Sequence, residues 1–138
     1  MVEFDRCLIV TRHRLLEAQD KDIDKICKQT GITPELPNDP VELSSLIRPY
    51  DAIIGIIPLS LQVQILQNGK ALVTFVMRSA GVTDSKEDAE YLTTKYPGRS
   101  AVLLPSKEGE KYRVVVYEGM KLVKEIKVVD EWIVQHSD

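Results

Sequence analysis

Two short apolar runs, each followed at once by polar or conformationally special residues, constrain the fold of this chain most. The first, residues 6–11, leads into Arg12 and His13, and the second, residues 52–57, stops at Pro58. Nearly continuous apolar runs of this length are typical of strands covered on both faces of a sheet. In an open α/β sheet, the carboxyl ends of parallel strands form the crevice in which ligands bind. We therefore expect both strand ends to face a single site.

The residues between these two runs predict further elements in alternation. Apolar side chains at helical spacing predict a helix over residues 20–29, and Gly31 follows as a helix stop. A short edge strand is expected near Leu36, and Asp39 followed by proline predicts the N-cap of a second helix. Strands that alternate with helices indicate a parallel sheet.

Residues 59–69 fit two structures. They alternate apolar and polar side chains before Asn68-Gly69, which is a strong two-residue hairpin signal. Pro58 at the start, the leucine and glutamine content and a glycine at the end favour a helix. The helix is the preferred interpretation, and the hairpin stays open.

Another strand is predicted over residues 71–77, and Arg78-Ser79 would form its polar end. Asp84 or Ser85 can cap a helix that runs to about Tyr96.

The rest of the chain is rich in strand-forming residues. Strands are predicted over residues 101–104, 112–117 and 120–129, with turns at 107–110 and at Glu118-Gly119. An antiparallel hairpin or meander is expected, which either extends the main sheet or forms an appendage that builds a dimer. The last four residues are expected to be frayed.

Composition limits the class of protein. A chain of 138 residues with 43% hydrophobic and 28% charged residues is expected to form one domain, with a core over about residues 6–80 and a β-rich extension over about 100–134. No run approaches the roughly 20 apolar residues of a membrane helix. Acidic residues among positions 1–5 are untypical of a secretory signal, so we expect a cytoplasmic protein with no membrane association.

Charge and cysteine usage carry two further expectations. A net charge of −3 argues against coating duplex nucleic acid, although a small anionic ligand in a local basic pocket is compatible with it. Cys7 and Cys27 lack CxxC spacing and a supporting histidine cluster, so we expect buried free thiols.

Arg12 and His13 are the main candidates for chemistry. A guanidinium binds phosphate through two parallel hydrogen bonds, and an imidazole transfers protons near neutral pH. An equally ordinary interpretation pairs Arg12 with a surface acid and lets His13 cap the next segment. Ser60 would either satisfy a helix end or meet a phosphate there. Neither a glycine-rich nucleotide loop nor a metal-ligand pattern is present in the sequence, so no cofactor or metal is expected.

Three short motifs are distinctive: Thr11-Arg12-His13 after the first strand, Ile54-Gly55-Ile56-Ile57-Pro58-Leu59-Ser60-Leu61 after the next, and Gly69 before an apolar strand. In these motifs the chain resembles the small CRISPR-associated ring nucleases, which have a Rossmann-like core related to the CARF sensor domains. The resemblance covers roughly residues 6–80 and leaves the β-rich end unexplained. It implies an α/β fold with a Rossmann-like (CARF-like), mostly parallel sheet flanked by helices.

The resemblance also implies a function. A homodimer would place two crevices around a two-fold axis and bind a cyclic oligoadenylate, with cyclic tetra-adenylate as the first choice. Metal-independent cleavage to a linear product with a 2′,3′-cyclic phosphate would switch off type III CRISPR antiviral signalling. At the matching positions, Arg12 would bind phosphate, and His13 would transfer a proton or stabilise the leaving group. The implied ligand-binding residues are Thr11, Gly55, Pro58, Leu59, Ser60, Arg78 and Ser79.

Two other classes of function fit the same sequence. A non-catalytic nucleotide sensor or sponge would use the crevice but release the ring unchanged. A protein-interaction module would pair its β-rich end with a partner by strand addition.

Overall fold

Strands and helices alternate along most of the chain. The computed structural model describes residues 2–94, 101–105, 111–126 and 131–136. The elements in chain order are β1 (Phe4–Val10), α1 (Glu17–Ile26), β2 (Cys27–Thr33), α2 (Pro40–Ile47), β3 (Ala52–Gly55), α3 (Leu59–Gln67), β4 (Ala71–Thr83), α4 (Lys86–Thr93), β5 (Ala101–Pro105) and β6 (Tyr112–Val123). The described part of the chain is therefore a mixed α/β structure with four helices flanking a sheet.

Across the described residues the sheet has six strands in the order β2-β1-β3-β4-β6-β5. The first four strands are mutually parallel, and β6 is antiparallel to both of its neighbours, so five strands run in one direction. From β1 the chain passes outward to β2 and then returns across β1 to β3. The direction of winding thus reverses between β1 and β3, and this reversal is the point at which open α/β sheets bind ligands.

Side chains of the central strands alternate between two apolar clusters, as the two-residue period of a strand requires. On one face, Ile23 of α1 packs with Cys7, Ile9 and Ile54. On the other face, side chains of α2 and α3 pack with Leu8, Ile53 and Leu72. The helices therefore cover the parallel strands from both sides, which explains the nearly continuous apolar runs of β1 and β3.

Three locally encoded predictions are confirmed. Asp39 caps α2, with its Oδ1 accepting hydrogen bonds from the backbone N–H groups of Val41 (2.7 Å) and Glu42 (3.2 Å). Residues 59–67 form a helix and not a hairpin. Ser85 caps α4, which ends at Thr93 instead of Tyr96.

The prediction for residues 20–36 is wrong in part. The helix spans Glu17–Ile26, and strand β2 occupies Cys27–Thr33, where we expected the helix to end. Gly31 lies within this strand, where an added Cβ would overlap the hydroxyl of Tyr50. Leu36 is buried but lies in no strand. Pairing with β1 explains the difference, because that pairing depends on residues more than twenty positions away.

The second half of the sheet also differs from the prediction. Strand β4 continues through residue 83, so Arg78 and Ser79 do not form a strand end. The expected turn at Glu118-Gly119 is a bulge inside β6, since Val76 pairs with Gly119 and Met77 with Tyr117. Gly119 has a φ of 141°, a conformation that favours glycine and that bulges use.

Strands β5 and β6 form the expected antiparallel pair and extend the main sheet. The predicted turn at 107–110 and residues 127–130 lie outside the described residues. The strand predicted over residues 120–129 is the final part of β6, which ends at Val123. Residues 131–136 are exposed and form no helix or strand.

The two cysteines form a disulfide, so the prediction of free thiols is wrong. Cys7 in β1 and Cys27 at the start of β2 lie 6.0 Å apart between Cα atoms, although twenty positions separate them in sequence. The pairing of two adjacent strands brings them together, and nothing in their local spacing signals it.

Among the described residues, no helix is both long and apolar enough to cross a membrane.

Candidate functional site

A cleft of about 650 Å³ opens beyond the carboxyl ends of β1 and β3. Four parts of the chain line it: Val10–Leu16 with Gln19, Pro34–Leu36 with Asn38, Ile56–Pro58 with Leu61, and Phe75, Met77 and Val115 from β4 and β6. The segments that follow the two apolar runs therefore meet at one site, at the reversal point of the sheet.

Thr11 shapes the turn at the end of β1. Its backbone N–H continues the ladder to β2 by donating to the carbonyl of Thr33 (3.0 Å). Its Oγ1 donates to the carbonyl oxygen of His13 (2.8 Å) and accepts from the backbone N–H of His13 (3.2 Å). A threonine hydroxyl that bonds the backbone two residues ahead stabilises a turn. The turn holds Arg12 and His13 at the entrance of the cleft.

Arg12 forms an ion pair with Glu35, which follows β2. Both side chains are about two-thirds exposed, so solvent screens the pair and it contributes little to stability. Part of the ordinary interpretation of Arg12, pairing with a surface acid, therefore holds. Both residues line the cleft, so Glu35 competes with any anion that approaches the guanidinium.

His13 is exposed at the same entrance, and its imidazole makes no hydrogen bond with the residues that the structure describes. Its backbone, not its side chain, takes part in the turn with Thr11. The imidazole is therefore accessible to a ligand from the cleft.

The residues predicted around the second strand end divide into two groups. Pro58 lines the cleft and stands at the N-cap of α3, where no side chain caps the helix. Gly55 is buried, and an added Cβ would lie 2.6 Å from the carbonyl oxygen of Val10. Gly55 thus permits close packing of β3 on β1 and does not itself line the cleft. Leu59 and Ser60 are exposed in the first turn of α3, outside the lining.

Arg78 and Ser79 are not among the cleft-lining residues. Arg78 pairs across the sheet with Glu118 of β6. Because β4 is longer than predicted, the cleft is bordered by Met77 and not by these two residues.

Gln19 is one of several lining residues that the sequence interpretation missed. The residue is only 7% exposed, and the Oε1 of its side chain accepts a hydrogen bond from the backbone N–H of Leu16 (2.8 Å) at the start of α1. Gln19 precedes buried Ile23 by four positions, so a polar side chain lies on the apolar face of the helix. A polar residue at helical spacing from Ile23 is a signal that the sequence contains. The predicted helix starts at residue 20 and therefore does not include Gln19.

Behind the cleft, Tyr117 ties α1 to β6. Its hydroxyl donates to Oδ2 of Asp22 (2.7 Å), and its ring meets Phe75 edge-on with centroids 5.9 Å apart. Burial, the hydrogen bond to Asp22 and the negative charge of that carboxylate all raise the pKa of Tyr117 well above its usual range. The phenol is therefore a structural donor that also positions the ring of cleft-lining Phe75.

Fold and site together define an α/β protein with a mostly parallel sheet, flanked by helices, and a cleft at the reversal point of that sheet. Within the described residues, no three histidine, cysteine, aspartate or glutamate side chains are grouped as metal ligands. No protein-family model, curated protein or solved structure matches the chain.

Proposed function

We propose that this protein is a Rossmann-like, CARF-like ring nuclease that cleaves a cyclic oligoadenylate, cyclic tetra-adenylate first, without a metal ion. The observation that carries the proposal is the cleft beyond β1 and β3, at whose entrance Arg12 and His13 lie side by side in sequence. Its volume of about 650 Å³ is within the range of small-molecule sites.

The chemical division of the cleft also supports a nucleotide ligand. Arg12, His13 and Arg14 provide cationic or ionisable groups at the entrance, whereas Phe75 and Met77 contribute apolar surface. A nucleotide has the matching division into anionic phosphate and flat apolar base. The proposal includes a homodimer, because two such clefts around a two-fold axis would share one ring.

The proposed reaction uses the ribose as its own nucleophile. The 2′-oxygen attacks the adjacent phosphorus, the bond from phosphorus to the 5′-oxygen breaks, and a 2′,3′-cyclic phosphate forms. The proton released by the 2′-hydroxyl is balanced by the one that the departing 5′-oxygen gains. His13 would carry one of these protons, and Arg12, once released from Glu35, would stabilise the charge that develops on the phosphate.

The protein would act in the cytoplasm, where this signalling operates. A disulfide such as Cys7–Cys27 is rare in the cytosol of mesophiles and common in that of hyperthermophiles. The cytoplasmic location therefore rests on the proposed function alone.

The test is to incubate the protein with cyclic tri-, tetra- and hexa-adenylate in the presence of a chelator and to resolve the products by chromatography and mass. We expect a linear product with a terminal cyclic phosphate. An unchanged ring that co-elutes with the protein would instead indicate a sensor or sponge. The absence of both cleavage and binding would refute the proposal.

Matched variants assign the roles. We expect His13→Ala to lower the cleavage rate by about 10²-fold or more while binding persists. The control is His136→Ala, because His136 is exposed and does not line the cleft. We expect Arg12→Ala to weaken binding, whereas Arg48→Ala, an exposed arginine outside the cleft lining, should not. If each control variant loses as much cleavage rate or affinity as the variant it is matched to, the roles assigned to His13 and Arg12 are refuted.

A further inference from the structure

We propose that Gln19 is a ligand-binding residue, whose side-chain amide donates a hydrogen bond to an acceptor atom of a purine base held in the apolar part of the cleft. This inference rests on the proposed function for the nature of the ligand. The involvement of Gln19 itself rests on its burial, its fixed orientation and its place in the lining.

The orientation of the amide follows from its partner. The backbone N–H of Leu16 can only donate, so the atom 2.8 Å away must be Oε1 of Gln19. The Nε2 group, with two hydrogens, is then the part of the amide left for the cleft. The side chain of Gln19 makes no further hydrogen bond with the described residues.

Gln19 is 7% exposed and lies in the lining of the cleft. Its Nε2 group is not among the fully buried polar atoms of the described residues that lack a partner, so this donor is accessible to solvent. Polar groups at such sites nearly always have a partner in the protein, in water or in a ligand. A ligand in the cleft would therefore meet this donor in place of water.

The surroundings of Gln19 indicate the type of acceptor. Leu16, Phe75, Met77 and Val115 contribute apolar side chains to the same cleft, and the cationic groups belong to the segment that follows β1. A phosphate favours the charged entrance, whereas a flat base with ring-nitrogen acceptors fits an apolar surface that offers one fixed donor. Because Oε1 already accepts from the Leu16 N–H whereas Nε2 has no protein partner among the described residues, the proposal assigns Nε2 to an acceptor atom of the base.

Two substitutions separate ligand binding from the structural role. Gln19→Glu keeps an oxygen for the Leu16 N–H and places a negative charge in the first turn of α1, where the helix dipole favours it. It removes the donor. We expect its melting temperature to fall less than that of Gln19→Leu, because the acceptor for the Leu16 N–H is kept, while its affinity for cyclic tetra-adenylate falls at least about tenfold. Gln19→Leu should lower both.

The matched control is Gln29→Glu, which makes the same change of charge at an exposed residue of β2 outside the cleft lining. Its affinity for the ring should equal that of the wild type. A second measurement uses cyclic tetra-adenylates whose bases lack N1, N3 or N7. One of these rings should bind the wild type more weakly and should lose less affinity with Gln19→Glu than the other two, because the same hydrogen bond is already absent and repulsion by the new carboxylate is common to all three.

The outcomes distinguish the two proposals. If the wild type binds the ring and Gln19→Glu binds it equally well, the role of Gln19 is refuted and the proposed function stands. If the wild type binds all three altered rings with the same affinity as cyclic tetra-adenylate, the proposed hydrogen bond to a ring nitrogen is refuted. If the wild type binds no ring, the proposed function fails, and the purine site fails with it.

Discussion

Reduction of the Cys7–Cys27 disulfide should destabilise the protein by an amount that its loop length determines. The bridge closes a loop over a sequence separation of twenty residues. In the chain-entropy model, a loop of this length in the unfolded state corresponds to about 3 kcal/mol. For a chain of 138 residues, about 3 °C of melting temperature accompanies each kcal/mol, so we expect a decrease of about 10 °C.

The loop encloses the segment after β1 and all of α1, which together carry Arg12, His13 and Gln19. In the folded state these residues are also held by the sheet, by the Thr11 turn and by the packing of Ile23. The disulfide should therefore act mainly on the unfolded state. We expect ligand affinity at 25 °C to change little on reduction.

The assay is thermal unfolding followed by circular dichroism, after unfolding and refolding with or without a phosphine reductant. A Cys7→Ala/Cys27→Ala double variant is the control, and its melting temperature should be insensitive to reductant. Thiol titration of the unreduced chain in denaturant should find no free thiol. Two free thiols, together with equal melting temperatures in both conditions, would refute the reasoning.

Three further predictions concern single side chains. Gly55→Ala should destabilise by about 1–3 kcal/mol in urea unfolding, because the added Cβ meets the Val10 carbonyl oxygen at 2.6 Å; unchanged stability would contradict this packing. Tyr117→Phe should cost about 1 kcal/mol at pH 8 by removing the hydrogen bond to Asp22. Because folding raises the pKa of Tyr117, this contribution is complete below about pH 10 and declines above it, so the two proteins should converge in alkaline urea titrations. Glu35→Gln should raise the affinity for cyclic tetra-adenylate several-fold at low salt by freeing Arg12, and calorimetry that finds weaker binding would refute the competition.

Features that depend on a few adjacent residues can be predicted from the sequence. The Asp39 cap needs only the two backbone N–H groups of Val41 and Glu42, and α3 needs proline before a run of good helix formers. The apolar runs of β1 and β3 report burial on both faces, and with intervening helices they predict parallel strands whose ends meet. The expectation of Arg12 and His13 at one crevice follows from these signals.

Features that depend on residues far apart in the chain follow only from the way its segments pack together. Pairing with β1 made residues 27–33 a strand and joined Cys7 to Cys27, and pairing with β6 extended β4 past Arg78 and Ser79. Burial of Gln19 likewise depends on where α1 rests on the sheet. The free energy of strand pairing and of burial comes from contacts between segments. The sequence of one segment alone therefore does not specify which strand it pairs with or which of its side chains become buried.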